Sequence, residues 1–322
     1  MKKVTLADIA ARCGVSINTV SHALKDKPDI SEATKAMIRQ AAEEMGYIGN
    51  SSASFLRSGV SKCIAIILGD ISNPHFSILI KEIEVTARKE GYTCFVLNTE
   101  EDEALERAAI IAAIGKNVDG IILCPVQRSD QNVQFLMKSG IPFTLIGRRF
   151  EHLNTNYVIC DDTHSGYIAA EYILKQNKKR TAVITAESYV SSSRERLQGI
   201  RECYAAKGAV LAEEDIYRVP LSDRLRGKML RNVAMQGYDS AICFSDLLAL
   251  ELLSFAPDIE IVSFDHIKSR FRMPCQFTSV TSSKAKMSDI AVRILLDAIS
   301  GDATSESGAA LTKQIVLPTK IS

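Results

Sequence analysis

Asp70, Arg148, Asp161, Ser245, Asp246 and Asp265 each stand just beyond a short apolar run, and Ser72, Asn73 and His75 follow Asp70 closely. Carboxylates, amides and guanidinium groups at such places bind, gripping hydroxyls and anions through directional hydrogen bonds. Catalysis needs a further arrangement, a nucleophile beside a base or a cluster of metal ligands. The sequence offers no G-x-S-x-G, no G-x-x-x-x-G-K-[ST] and no H-E-x-x-H. Its histidines, His22, His75, His152, His164 and His266, are widely separated. The chain therefore reads as a binder, not an enzyme, with no resident cofactor or metal. The competing reading of each polar residue is a helix cap, a common role at strand ends.

The elements that must position these residues are strands alternating with helices. Apolar, β-type runs cover 63–68, 92–97, 120–124, 143–146, 157–160, 181–185, 240–244 and 259–264. Helical stretches lie between them, for example 76–90, 104–115 and 163–176. Repeated β–α order with nearly continuous apolar strands implies parallel sheets covered by helices on both faces. So many units in about 260 residues suit two α/β lobes. Ligands of such sheets bind at the carboxyl ends of the strands, where the polar set falls.

Composition sets outer bounds. The chain has 322 residues, 46% of them apolar and 24% charged, with a net charge of +1. That suits two or three domains and gives no global field toward nucleic acid or membrane. Residues 1–60 hold eight Lys/Arg against six Asp/Glu, only a slight basic bias. Cys13, Cys63, Cys94, Cys124, Cys160, Cys203, Cys243 and Cys275 form no C-x-x-C pair and sit mostly in apolar runs, as reduced core thiols of a cytoplasmic protein do. The polar N-terminus lacks the apolar segment of a signal peptide, and no run suggests a membrane span.

The first sixty residues differ from the rest. Thr5 caps a helix over Leu6, Ile9 and Ala10, with Asp8 completing a capping box. Gly14 ends it in left-handed backbone. Ser16 caps a second helix carrying Val20, Ala23 and Leu24; Pro28 breaks the chain. Ser31 begins a third helix with Ile38, Ala41, Ala42 and Met45 on one face, ending at Gly46. Two helices joined by a short turn make a helix-turn-helix pattern, which many helical hairpins share.

The detail narrows it. Val4-Thr5-Leu6-Ala7-Asp8-Ile9-Ala10, Gly14-Val15-Ser16, Asn18-Thr19-Val20-Ser21, Tyr47 and Asn50 resemble the DNA-binding domain of the lactose/galactose repressor family. The resemblance continues through Asp70-Ile71-Ser72-Asn73-Pro74, Val118-Asp119-Gly120-Ile121-Ile122, Arg196-Leu197-Gln198-Gly199 and Phe264-Asp265. It implies an all-α head and a two-lobed body of the periplasmic-binding-protein type. The function it implies is a sequence-specific transcriptional regulator, in the first instance a repressor, that binds a pseudo-palindromic operator as a homodimer under small-molecule control. By family position Ile17, Asn18 and His22 would read bases. Asn can pair bidentately with adenine, and Ile can touch a thymine methyl. His22 stands where the family usually has Arg, so an atypical half-site is expected. Thr5, Ser16, Thr19, Ser21, Ser31 and Thr34 would hold phosphates, with helix capping the alternative for these hydroxyls.

In the body the resemblance adds Arg196 to the polar set as an effector contact. The expected effector residues are Asn73, His75, Phe76, Arg148, Arg196, Ser245 and Asp265. The effector implied is a sugar or sugar derivative. Ser245 replaces the family's usual Asn, and His266 its usual second Asp. The chain has no Trp, so Phe76, Tyr189 or Tyr217 would cover a sugar ring. Arg148 and Arg149 together could instead serve an anionic effector such as a sugar phosphate. Asp70 and Asp246 read as structural.

The expected division is a head at 1–47, a hinge at 48–60 and an effector and dimerisation domain at 61–322. One lobe takes 61–161 and 285–311, the other 162–284 and 312–322, with crossings near 161 and 285. The Ser- and Gly-rich hinge reads alone as a flexible linker. The family implies a helix formed only on DNA, with Leu56 inserted between base pairs from the minor groove. Phe55 would pack across the dimer or act as a second wedge. Helix 76–90 is expected at the dimer interface. A plain solute-binding protein would share the lobes but needs export and has no such head.

Overall fold

The computed structural model describes residues 4–48, 59–178, 180–221, 226–267, 277–301 and 312–322. The chain divides into two compact units, Met1–Ser61 and Lys62–Ser322.

Among the described residues, the first unit holds three short helices, α1 (Leu6–Cys13), α2 (Ile17–Leu24) and α3 (Glu32–Glu44). Local signals set their ends. Thr5 and Asp8 form a reciprocal capping box, and Gly14 closes α1 at φ 68°. Ser16 and Ser31 cap α2 and α3 by accepting from Thr19 N and Thr34 N. Ile9, Val20, Ala23 and Ile38 are fully buried and make the core, with Ala10, Ala41 and Ala42 nearly so. Small residues at these positions let three short helices approach closely enough to bury one common apolar centre.

The second unit has two six-stranded sheets. The first runs β11-β5-β4-β3-β1-β2, from β1 (Cys63–Leu68), β2 (Thr93–Asn98), β3 (Gly120–Leu123), β4 (Phe143–Ile146), β5 (Tyr157–Cys160) and β11 (Gln314–Leu317). Its pairings are parallel. Helices α4 (Pro74–Lys89) and α11 (Lys284–Ser300) cover one face. Helices α5 (Glu103–Gly115) and α6 (Gln131–Ser139) cover the other.

The second sheet runs β12-β10-β9-β8-β6-β7. Its strands are β6 (Thr181–Thr185), β7 (Ile216–Arg218), β8 (Ser240–Cys243), β9 (Glu260–Phe264), β10 (Thr278–Thr281) and β12 (Lys320–Ile321). Only the β10–β12 pair is antiparallel. Helices α7 (Asp162–Lys175) and α8 (Ser191–Ala206) pack on one face, α9 (Arg226–Ala234) and α10 (Asp246–Leu253) on the other.

Two expectations need correcting. Residues 312–322 were assigned to the second lobe, yet Gln314–Leu317 pair in parallel with Tyr157–Cys160 in the first sheet. Only Lys320 and Ile321 reach the second, opposite Thr281 and Val280. The chain therefore crosses three times, the third crossing falling at Pro318-Thr319. A four-residue run with no following helix gave no sign of which sheet edge it would complete. The apolar run at β2 also misleads: it is an edge strand, with Phe95 46% and Val96 42% exposed.

The closest approach in the second lobe joins α7 to α8. A Cβ on Gly199 would lie 1.8 Å from Thr163 O, and one on Gly166 1.9 Å from Arg196 O. Backbone meets backbone there, which sets Arg196 beside Asp162. No helix among the described residues is long and apolar enough to cross a membrane.

Candidate functional site

On the head, α2 presents one open face. Ile17 is half exposed, and Asn18 and His22 are exposed, while Val20 and Ala23 point into the core. Asn18 and His22 are four residues apart and so neighbours on the helix surface. His22 is not loose: its Nδ1 lies 2.6 Å from Asp29 Oδ2. That hydrogen bond holds the Asp29 carboxyl below its ordinary range. A carboxylate only accepts, so Nδ1 carries the proton and Nε2 is left facing outward, an acceptor while the ring is neutral.

The hydroxyls expected on phosphates have local work. Thr5 serves the capping box. Ser16 Oγ meets Thr19 Oγ1 at 2.9 Å and Ser31 Oγ meets Thr34 Oγ1 at 2.8 Å, alongside their capping bonds. Ser21 is half-buried on α2. Helix N-termini with polar caps suit phosphate contacts, so capping and phosphate binding are compatible here. Leu56 and Phe55 lie outside the described residues.

In the second unit, a cavity of about 100 Å³ lies between the lobes, and all seven expected effector residues line it: Asn73, His75, Phe76, Arg148, Arg196, Ser245 and Asp265. They come from both lobes: Asn73, Arg148, Ser245 and Asp265 follow strands, His75 and Phe76 open α4, and Arg196 lies on α8. Asn73 also caps α4 through His75 N (3.0 Å), and Ser245 caps α10 through Leu248 N (3.3 Å). Phe76 belongs at once to the first lobe's core and to the lining. The second aromatic wall is Phe244; Tyr189 and Tyr217 do not line the cavity. Tyr217 instead bonds Tyr238 through its hydroxyl.

The charged groups are tightly paired. Arg196 donates through Nε to Asp162 Oδ1 (2.7 Å) and through Nη1 to Phe244 O (2.8 Å). Its guanidinium lies 4.3 Å from the Phe264 ring centre and 4.9 Å from that of Phe244. Asp162 thus holds the place expected of Asp161, which turns away to cap α7 through His164 N. Burial pushes the Asp162 carboxyl up, against the pull of Arg196. Asp265 sits at φ 98° and the next residue, His266, at φ 52°, two successive left-handed residues without glycine. Burial alone would raise Asp265, but His75 Nδ1 at 3.1 Å, Arg196 and Lys284 outweigh it and hold it well below the usual carboxylate range. Lys284 Nζ donates to the Asp265 carbonyl.

Asp246 supports this strained pair from behind. It accepts from the hydroxyls of Ser263 and Ser279 and from Ile267 N at 2.7 Å. Fully buried, it is pushed up to about 6, by burial first and then by the charge of Asp265. A carboxyl raised on folding binds its proton more tightly in the native state, so its ionisation lowers stability as pH rises from about 4 to about 6. Asp246→Asn should therefore gain on the wild type across that interval, by roughly 2–3 kcal/mol, with a constant difference above it. Urea titrations of both proteins at four pH values check this. A difference that stays flat with pH rejects it.

The lobes also meet outside the cavity. Gln127, buried and at φ 71°, donates to Arg149 O at 2.6 Å and accepts from Ser191 N at 2.9 Å, the first residue of α8. Val190 supplies no side-chain cap to α8, so the opposite lobe supplies one. Arg149 pairs with Glu195 across the same seam (3.1 Å) and is not part of the lining. The reading in which Arg148 and Arg149 jointly hold an anion is therefore not supported.

Reasoning from sequence missed Glu101, Asp162, Arg226 and Phe244 in the lining and Gln127 at the seam. Asp162 was one position from the residue chosen; the others carried no local mark. Cys124 and Cys160 also line the cavity, and burial pushes both thiols up to about 12, so they act there as small apolar groups.

Residues 5–50 match the model for bacterial regulatory proteins of the lacI family, and residues 64–225 match a periplasmic binding protein domain. The HTH-type transcriptional repressor PurR of Aliivibrio fischeri (strain MJ11) is 24% identical over 308 residues, covering 92% of this chain and 91% of that protein. Among solved structures, the lac repressor dimer bound to operator and the anti-inducer ONPF superposes with a TM-score of 0.81 at 20% identity, covering 99% of this chain and 98% of the other. A transcriptional regulator CelR–cellobiose complex gives 0.71 at 22% identity, over 99% and 98%. At these identities the structural likeness establishes the fold.

Proposed function

Because the chain belongs to the lacI family of bacterial regulatory proteins, with a periplasmic-binding-protein domain behind its head, we propose that it is a cytoplasmic repressor that binds a pseudo-palindromic operator as a homodimer and answers to a small sugar or sugar derivative. The observation that carries this is the gathering of seven residues from both lobes around one cleft, in a chain whose head exposes Ile17, Asn18 and His22 together. Carboxylates and amides beside two aromatic walls suit a polyhydroxyl ring.

The size of the cleft supports allosteric control. About 100 Å³ is small against the roughly 300–1,000 Å³ of ordinary ligand pockets, so a larger occupant has to part the lobes. Occupancy and lobe angle are then one variable, and the seam at Gln127 and Arg149 is what it strains. Couplings of about 1–3 kcal/mol are typical of such systems, which is roughly 5–150-fold in DNA affinity. A second copy suits the open edge at β2, where Phe95 and Val96 lie exposed on a strand that packs against α4, the helix expected at the interface.

In the head, Asn18 reads adenine, Ile17 a thymine methyl, and His22 offers Nε2 to a base edge. Thr5, Ser16, Thr19, Ser21, Ser31 and Thr34 hold phosphates, and Leu56 wedges the minor groove. Selection from a random pseudo-palindromic library should return one two-fold motif, with a log–log salt slope near −7 if about eight phosphates are neutralised. Leu56→Ala should keep the fold and the dimer yet weaken operator binding at least tenfold. Selection of no motif overturns the operator reading; unchanged affinity of the Leu56 variant removes that residue from it.

A further inference from the structure

We propose that Glu101 fixes the charge class of the effector, reserving the cleft for an uncharged polyhydroxyl molecule and turning away its phosphorylated or carboxylated counterpart. This rests on the reading that the cleft is the effector site.

An arginine at the end of a parallel strand is an obvious anion receptor, because its fork matches a carboxylate or phosphate bidentately. Arg148 is 6% exposed and lines the cleft. Its fork is already filled: Nη1 donates to Glu101 Oε2 at 2.7 Å, Nη2 to Glu101 Oε1 at 2.9 Å, and Nη1 again to Pro125 O at 3.0 Å. The chain goes out of its way to place this carboxylate. Glu100 and Glu101 are successive left-handed residues, at φ 50° and 55°. Glu101 reaches Arg148 past Gly69, where a Cβ would come within 2.2 Å of its Oε1. Left-handed backbone at two residues, and a glycine where any Cβ would push the carboxylate aside, both serve one internal ion pair.

The other guanidinium groups of the lining among the described residues are matched too. Arg196 is held by Asp162, and Arg226 by both oxygens of Glu251. The lining carries carboxylates at Asp70, Glu101, Asp162 and Asp265 against guanidinium groups at Arg148, Arg196 and Arg226. Among the described residues, an incoming phosphate would meet guanidinium groups already paired with carboxylates, and several carboxylates at short range, in a site shielded from salt. A neutral hydroxyl meets the same groups as acceptors and spare donors, without a charge to desolvate. Glu101 thereby turns a receptor for anions into one wall of a receptor for polyols.

The test uses the full chain and matched ligands: aldopentoses, aldohexoses and disaccharides, each beside its phosphate ester and its uronic acid, with inorganic phosphate as a control for charge alone. Thermal shift finds the binders and calorimetry gives their Kd. The wild type should prefer the neutral member of any pair it binds by at least tenfold. Glu101→Gln keeps the length and an acceptor for Arg148 but removes the charge, and should shrink that preference at least tenfold. General destabilisation would weaken both members alike and leave the ratio unmoved. If the variant does not fold, the wild-type preference still decides. Preference for the anionic member overturns the proposal alone, and an unchanged ratio in the variant takes the role from Glu101. Stabilisation by no pair overturns the sugar reading of the cleft, and the proposal with it.

Discussion

Gly199→Ala should lower the melting temperature of the effector domain by at least about 6 °C, the largest loss expected from adding a single methyl group to this protein. Ordinary overpacking costs about 1–3 kcal/mol, because side chains shift aside. Here the new carbon would meet main chain: Thr163 O at 1.8 Å and both Thr163 C and Tyr167 N at 2.8 Å. Backbone inside a packed helix yields only if the two helices separate, so the cost should reach about 3 kcal/mol or more, against a typical total of about 5–15. At about 2–4 °C per kcal/mol for a domain of this size, that gives the stated shift. Gly166→Ala acts on the same crossing, through Arg196 O at 1.9 Å. Once the helices have parted, the second methyl costs less, so the double variant should lose less than the sum of the singles. Thermal melts of the three variants check this. A change under 2 °C for Gly199→Ala would mean that α7 and α8 are not in backbone contact.

The second large effect is expected at Arg196. Arg196→Met leaves Asp162, 3% exposed, without its only ion-pair partner among the described residues, and losing one partner of a buried pair typically costs about 3–5 kcal/mol. The variant should also fail to respond to whichever sugar stabilises the wild type, since its guanidinium forms part of the cleft wall between Phe244 and Phe264. The two roles separate in Arg196→Met/Asp162→Leu. With both charges gone and the volume roughly kept, stability should return to within about 1–2 kcal/mol of the wild type, because an apolar pair of similar size replaces an ion pair at little net cost. The ligand response should not return. Melting curves with and without sugar read both quantities. A double variant that regained the response would limit Arg196 to holding α8 in place, and a single variant as stable as the wild type would show that the pair is not buried as described.

Both predictions depend on distances between segments far apart in the chain, and this marks the boundary of what the order of residues conveys. Helix ends were legible because their causes are local. A hydroxyl three residues ahead of an orphan amide caps it wherever the helix ends up, as Thr5, Ser16 and Ser31 do. The α/β alternation was legible because strand and helix periodicities persist over many residues. Most of the cleft residues were legible by rule: parallel strands put their carboxyl ends on one side, so polar residues just after them, Asn73, His75, Arg148, Ser245 and Asp265, converge. Arg196 lies within α8 and was legible only through the family resemblance.

What escaped the sequence was each pairing made across the fold. Glu101 stands in an acidic run, Glu100-Glu101-Asp102-Glu103, that is indistinguishable from a solvated face until a buried Arg148 is found within reach. Gln127 is one polar residue of a loop; only the approach of an uncapped α8 from the other lobe makes it a bridge. Phe95 and Val96 look like core, and their exposure follows only from β2 being a sheet edge. The sequence by itself determined the head, the two-lobed α/β body and the place where polar groups would gather, since these follow from local propensity and from strand direction. Tertiary structure alone decided which charges cancel within the cleft, because burial turns a weak surface attraction into a strong, specific pair only after distant segments exclude water together.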